Sequence, residues 1–206
     1  MWTTPSDVRK LVGLPSSSLD PDYASDSVLQ YYIERAQYAI LPMVSILVRD
    51  DQLSGSINGS NTEFYVSNYP IFDSNFDKSI NASDITVYGW GDLDDLDTKT
   101  SLSVSSVDWR EGRVVLSSAP SSTFEALTAD YRYSKYEVDW NLLDMATAYL
   151  AGYLYLTAEY MEIPLNVRTG AQTYRYTYDP ATRCLETYLR MIDLIRKKIV
   201  FRGKKE

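Results

Sequence analysis

Two changes of hydrophobic period constrain this chain more than any other feature of its sequence. Up to about residue 50, and again from residue 137 onward, apolar residues recur at steps of three and four, as on the buried side of a helix. Between them, residues 51–136 have no helical period and hold most of the Gly, Asn and Ser punctuation. A helical core whose two halves are separated in this way is a discontinuous domain, and the middle stretch is an insert with a fold of its own.

The helical signals are specific. Thr4, Pro5 and Asp7 supply a hydroxyl cap, a proline in the first turn and an acid near the positive helix end. Val8, Leu11 and Val12 are expected to face inward, and Gly13 to stop this short helix. A second helix is expected from Ser25 or Asp26, with Leu29, Tyr32, Ile33, Ala36, Ile40, Val44 and Leu47 on its inner side and a kink or break at Pro42. Beyond the insert, Asp139 caps a run from Trp140 to about Tyr160 that is apolar almost all round, the pattern of a helix buried on several sides. At about 17 residues its most apolar part is short for a bilayer span and carries Asp144, so it reads as a core helix. Residues 166–178 alternate like an extended arm or edge strand. Asp179-Pro180 then opens a last helix with Cys184 or Leu185, Tyr188, Leu189, Ile192, Ile195 and Ile199 inward.

Within the insert, short β-type runs at 63–66, 85–90, 102–107, 114–117 and 127–133 are separated by turn signals such as Asn58-Gly59 and Arg110-Glu111-Gly112. Five or more short antiparallel strands make a small sandwich or barrel. The expected fold is therefore α+β: a discontinuous helical bundle, 1–50 and 137–206, ending in a basic tail, with an inserted small antiparallel β-sandwich or barrel at 51–136.

Composition narrows the chemistry. The chain has no histidine and a single cysteine, Cys184, which rules out a Ser-His-Asp or Cys-His nucleophilic system and any intramolecular disulfide. A His or multi-Cys zinc site is equally out of reach. No cofactor is called for, no pair among the 28 acids singles itself out for acid–base work, and the chain reads as a non-enzyme. Met1-Trp2-Thr3-Thr4-Pro5 lacks the basic start and apolar run of a signal peptide, so a cytoplasmic origin is expected, and Asn58-Gly59-Ser60 and Asn81-Ala82-Ser83 read as turns rather than glycosylation acceptors. Asp92-Leu93-Asp94-Asp95-Leu96-Asp97 fails the calcium-loop pattern at Leu96 and at Ser103, and it reads as a solvated turn, as does the loop holding Asp73, Asn75 and Asp77. Trp90, Trp109, Tyr88, Tyr131 and Tyr133 read as core and cross-strand pairs of the insert. As a sugar-binding platform they would give a different function, a carbohydrate- or protein-binding module multimerised by the helices.

The net charge of −8 is unevenly spread: −2 over 1–50, −7 over 51–136 and +1 over 137–206, with six basic residues against one acidic in the last eleven. The 18 tyrosines suit surfaces that become partly buried in an assembly.

The run Thr4-Pro5-Ser6-Asp7-Val8-Arg9-Lys10-Leu11-Val12-Gly13-Leu14, the helix around Tyr32-Ile33-Glu34-Arg35-Ala36, Ala146-Thr147-Ala148-Tyr149-Leu150-Ala151-Gly152-Tyr153-Leu154, and Val167-Arg168-Thr169-Gly170-Ala171-Gln172-Thr173-Tyr174-Arg175-Tyr176 together resemble the head–tail connector (adaptor) proteins of tailed bacteriophages and related tailed viruses. The resemblance covers the helical part, a little over half the chain, and leaves the insert uncovered. It implies a virion structural protein, assembled in the host cytoplasm and located at the capsid vertex or neck. There a ring of usually about a dozen copies docks under the portal, closed by head-to-tail contacts. It implies further neighbours: tail-side connector or tail-terminator proteins, the capsid through the insert, and DNA passing through the lumen without sequence-specific binding, with no membrane involved. The segment matching the portal-docking tail carries Arg196, Lys197, Lys198, Phe201, Arg202, Lys204 and Lys205. Subunit-interface candidates are Tyr149, Tyr153 and Leu156 on the long helix and Tyr174, Tyr176 and Tyr178 on the arm.

Overall fold

The structure, a computed structural model, describes residues 1–19, 24–160, 166–169, 172–175 and 180–197. Among these the chain is mixed α+β, with four α-helices, two antiparallel sheets and a two-stranded hairpin. Its described residues fall into two compact units, one within Met1–Leu41 and Val138–Lys198, the other Pro42–Glu137.

In the first unit, α1 (Pro5–Val12) starts with a reciprocal cap: Thr4 Oγ1 accepts from Asp7 N at 3.2 Å, and Asp7 Oδ2 accepts from Thr4 N at 3.1 Å. It ends at Gly13, whose φ of 80° is left-handed and whose N–H reaches Arg9 O. Trp2, just ahead of the helix, is fully buried with Val8. Arg9 is buried too: its Nη2 donates to Ala24 O at 2.6 Å and to Asp26 Oδ1 at 2.5 Å, tying α1 to the first turn of α2 (Asp26–Val44). α2 buries Leu29, Ile33, Ala36 and Ile40, a three- and four-residue stripe. α3 (Trp140–Tyr160) begins where Asp139 Oδ1 accepts from Asn141 N at 3.0 Å. It packs on α1 and on α4 (Pro180–Lys197), and a Cβ at Gly152 would lie 2.4 Å from Val12 Cγ2, so the α1 side chain sits on bare backbone there. α4 buries Ala181, Cys184, Tyr188, Ile192 and Ile195, but Leu189, expected inward, is half exposed because it sits one residue off that stripe. Ile199 lies outside the described residues. Residues 166–169 and 172–175, the described part of the expected arm, form strands β8 (Asn166–Thr169) and β9 (Gln172–Arg175), which pair with each other.

The second unit corrects the first boundary of the sequence reading. The helix runs through Pro42 only to Val44. Ile46 and Leu47, expected as helix, belong to strand β1 (Ile46–Gln52). Proline withholds the N–H that would bond the preceding turn, and the β-branched pair Ile46 and Val48 finds an antiparallel partner in β7 (Ala126–Tyr133). The remaining strands are β2 (Glu63–Tyr65), β3 (Ile85–Trp90), β4 (Lys99–Leu102), β5 (Val104–Asp108) and β6 (Arg113–Leu116). They form a four-stranded sheet, β1-β7-β3-β4, and a three-stranded one, β2-β6-β5. The stretch 102–107, expected as one strand, is two. β4 pairs with β3, the chain changes sheet at Ser103, whose carbonyl accepts from Ser117 N at 2.8 Å, and β5 pairs with β6. Each sheet keeps two edges, so the barrel alternative is excluded. Alternate residues of both sheets, including Phe64, Val87, Val114, Leu127 and Ala129, share one hydrophobic cluster.

Candidate assembly surface

The helical unit leaves large side chains outside its core. On α2, the face opposite Leu29, Ile33 and Ile40 carries Val28, Tyr31, Arg35 and Tyr38, spaced three, four and three residues apart and so on one side. Tyr31 is 50% and Tyr38 68% exposed. Arg35 lies 4.8 Å above the Tyr31 ring, which meets Tyr32 edge-on at 5.2 Å; Tyr32 in turn meets buried Tyr155 at 5.9 Å. A file of rings thus runs from the surface of α2 to the interior, and it holds Tyr31 in a fixed orientation at little further entropic cost. The inner stripe of α2 is plain in the sequence, whereas this outer one is not singled out there. Its signal is the same period read one residue earlier.

The interface candidates on α3 separate. Tyr149 and Tyr153 are half-buried and lie one helical turn apart, in line with half-buried Leu142 and Met145. Leu156 is buried within its own chain. Tyr174 is part of β9, opposite Val167, while Tyr176 and Tyr178 lie outside the described residues. Of the basic tail, Arg196 and Lys197 are exposed in the last turn of α4, where Lys197 Nζ pairs with Asp193 Oδ2. Lys198, Phe201, Arg202, Lys204 and Lys205 lie outside the described residues.

In the β-unit, Tyr131 is a core residue whose hydroxyl donates to Asp51 Oδ2 at 2.7 Å and accepts from Asn68 N at 3.0 Å. Trp109 and Tyr133 pack against the same cluster, and Trp90 is buried with its Nε1 donating to Thr128 Oγ1 at 2.8 Å. The rings of Trp109, Tyr131 and Tyr133 serve the unit internally rather than as an open platform. Burial, then the bond to Asp51, holds the Tyr131 phenol above its ordinary value of 10.0. The sign follows from linkage: the unfolded chain loses this proton near pH 10 while the folded one keeps it, so the contribution is whole below pH 10 and falls as pH rises beyond. Urea titrations at pH 8 and pH 11 are expected to show a smaller loss of stability in Tyr131→Phe than in wild type. At pH 8 the variant is less stable by about 1 kcal/mol, from the lost bonds to Asp51 and Asn68.

The loop 92–97 is a solvated turn: Asp92 and Asp95 accept from the N–H groups of Asp94 and Asp97, and Leu93 and Leu96 point into solvent. In the loop 73–84, Asn75 and Asp77 are exposed as expected, but Asp73 is buried, as is Asp84. Asp73 accepts from the N–H groups of Asn75, Phe76, Asp77 and Lys78, and Asp84 from those of Ser74 and Asn81. Burial, with Asp73 adding to it, raises the Asp84 carboxyl above its ordinary value, although the bonds from Ser74 and Asn81 oppose this. Asp73, Asn75, Asp77, Asn81 and Asp84 stand at the spacing of calcium-loop ligands, with Lys78 at a positive φ where glycine is usual. Among the described residues, however, no three acidic, His or Cys side chains converge so as to hold a metal ion.

No helix among the described residues is long and apolar enough to cross a membrane. No family model matches the chain, and no curated protein matches it.

Proposed function

We propose that this chain is a structural subunit of a head–tail adaptor ring in a tailed virus, built from about twelve copies that dock under the portal and let DNA pass. The helical unit makes the ring. The β-unit, as a small sandwich, projects toward neighbouring proteins, and the basic segment 196–206 docks on the portal. The observation that carries this reading is the outward file Val28, Tyr31, Arg35 and Tyr38 on α2: aromatic and arginine side chains are the types that anchor protein interfaces. The half-buried line of Tyr149 and Tyr153 on α3 offers a second face, as head-to-tail closure demands. The absence of histidine agrees with a protein whose work is contact.

Native mass spectrometry and sedimentation of the purified full chain test it. The expected result is a cyclic oligomer of about twelve, and a folded monomer for the double variant Tyr31→Ala/Tyr38→Ala, since interface anchors of this kind typically cost at least ~2 kcal/mol each on truncation. A wild-type chain that stays monomeric up to millimolar concentration overturns the reading. A ring that survives the double variant moves the interface away from α2.

A further inference from the structure

The face of sheet β1-β7-β3-β4 turned away from the hydrophobic cluster carries a constellation that ring assembly does not use. Val87 points into the cluster, so by alternation Tyr88 and Trp90 lie together on the other face of β3. Lys99, on β4, stands opposite Trp90 in the strand register. Its Nζ lies 4.0 Å from the centre of the Tyr88 ring and 4.8 Å from that of Trp90, within cation–π range of both. The same Nζ donates to Asp50 Oδ1 at 2.6 Å.

Trp90 and the backbone at Asp50 are each held by groups other than the lysine. Trp90 is pinned through Nε1 to Thr128 Oγ1. Asp50 sits at a φ of 51°, where the β1–β7 register slips, and its N–H donates to Asp130 Oδ1 at 2.7 Å. Two rings, a carboxylate and a second carboxylate behind it are the chemistry that recognises an alkylammonium ion. The bond to Asp50 holds the Lys99 ammonium above its ordinary value, so the occupant stays charged.

We propose that Tyr88, Trp90, Asp50 and Asp130 form a binding pocket for an alkylammonium group, and that Lys99 fills it as a tethered blocker. The Lys99 side chain is 22% exposed, so the pocket opens at the surface. A tethered group acts at an effective concentration of order millimolar, and a free ligand competes poorly until the tether is removed.

The test titrates methylammonium chloride into full-length wild type and Lys99→Ala, with sodium chloride at equal ionic strength as control. The readout is the indole N–H resonance of Trp90, assigned by its loss in Trp90→Phe. Lys99→Ala is expected to show a saturable shift with methylammonium and none with sodium, and wild type to need at least tenfold more. Adding Asp50→Asn to Lys99→Ala removes the response. If Lys99→Ala is poorly folded, methylammonium is expected to restore its circular-dichroism melt where sodium chloride does not. Absence of a methylammonium-specific effect in both measurements, or an equal response in wild type, overturns the proposal.

Discussion

Replacing Asp73 with alanine is expected to lower the stability of the full chain by about 3 kcal/mol, measured by urea or guanidinium unfolding. The side chain is buried and its two oxygens organise a whole loop: Oδ1 accepts from Phe76 N at 2.7 Å, Asn75 N at 3.2 Å and Asp77 N at 3.3 Å, and Oδ2 from Lys78 N at 2.8 Å. Alanine takes this acceptor from the N–H groups of Asn75, Phe76 and Lys78, while Asp77 N keeps Asn75 Oδ1 at 3.1 Å, and a buried donor left without a partner costs about 1–3 kcal/mol. Only Phe76 N is deeply buried, so the total stays near the cost of one or two such groups rather than three. The loop also holds Phe76 and Lys78 at φ 66°, conformations that non-glycine residues adopt only under constraint. Asn in place of Asp73 keeps one acceptor oxygen and is expected to lose about half as much. A change below about 1 kcal/mol for alanine would show that the loop is held by something else.

In the helical unit the largest single effect is expected at Gly152. Alanine at an exposed helix position would gain about 1 kcal/mol over glycine. Here the new Cβ meets Val12 Cγ2 at 2.4 Å, Cγ1 at 3.0 Å and Cβ at 3.2 Å. All three atoms of that branched side chain block it, and valine has one rotatable bond with which to evade. Overpacking costs about 1–3 kcal/mol, and more where a helix must shift. Gly152→Ala is therefore expected to destabilise by about 2 kcal/mol net, and Gly152→Val by more. The discriminating measurement is a double-mutant cycle: Val12→Ala with Gly152→Ala should cost clearly less than the two single changes added. Simple additivity would mean that α1 does not lean on α3 at this point.

How far the fold shows in the sequence depends on whether its cause is local. The caps at Thr4 and Asp139 were legible because each is a bond between a side chain and N–H groups two or three residues away. Strand β1 was not. Val44, Leu47 and Val48 satisfy a helical and an alternating period alike, and the decision belongs to β7, some eighty residues further on. The switch at Ser103 was hidden for the same reason: 102–107 is one β-type run, and only its two partners, β3 and β6, show that it serves two sheets. At Asp73 the composition misleads. An Asp among Asn and Ser looks solvated, yet the carboxylate turns inward because the backbone N–H groups around it have no strand to pair with. Arg9 is the analogous case in the helical unit, a charged residue buried against a carbonyl and an acid that the sequence does not place beside it. On α3, the half-buried positions of Tyr149 and Tyr153 follow from the apolar girth of that helix. Tyr31 and Tyr38 are not legible in that way, because their stripe has the same period as the inner one and only the packing of α2 tells the two sides apart.

One feature of the β-unit bears on how such a gene is put together. β1 and β7 run antiparallel, with Ile46 directly opposite Tyr133. Residues so paired lie about 5 Å apart at their Cα atoms. The chain therefore enters and leaves the unit at neighbouring points, and the whole span from 46 to 133 hangs from a gap that a residue or two can bridge. Closing so short a gap asks little of the surrounding chain. A single recombination event between codons on either side of that pair, in either direction, would add or remove the entire unit while leaving the reading frame of the helices uninterrupted. Shorter and longer versions of this architecture are one genetic step apart.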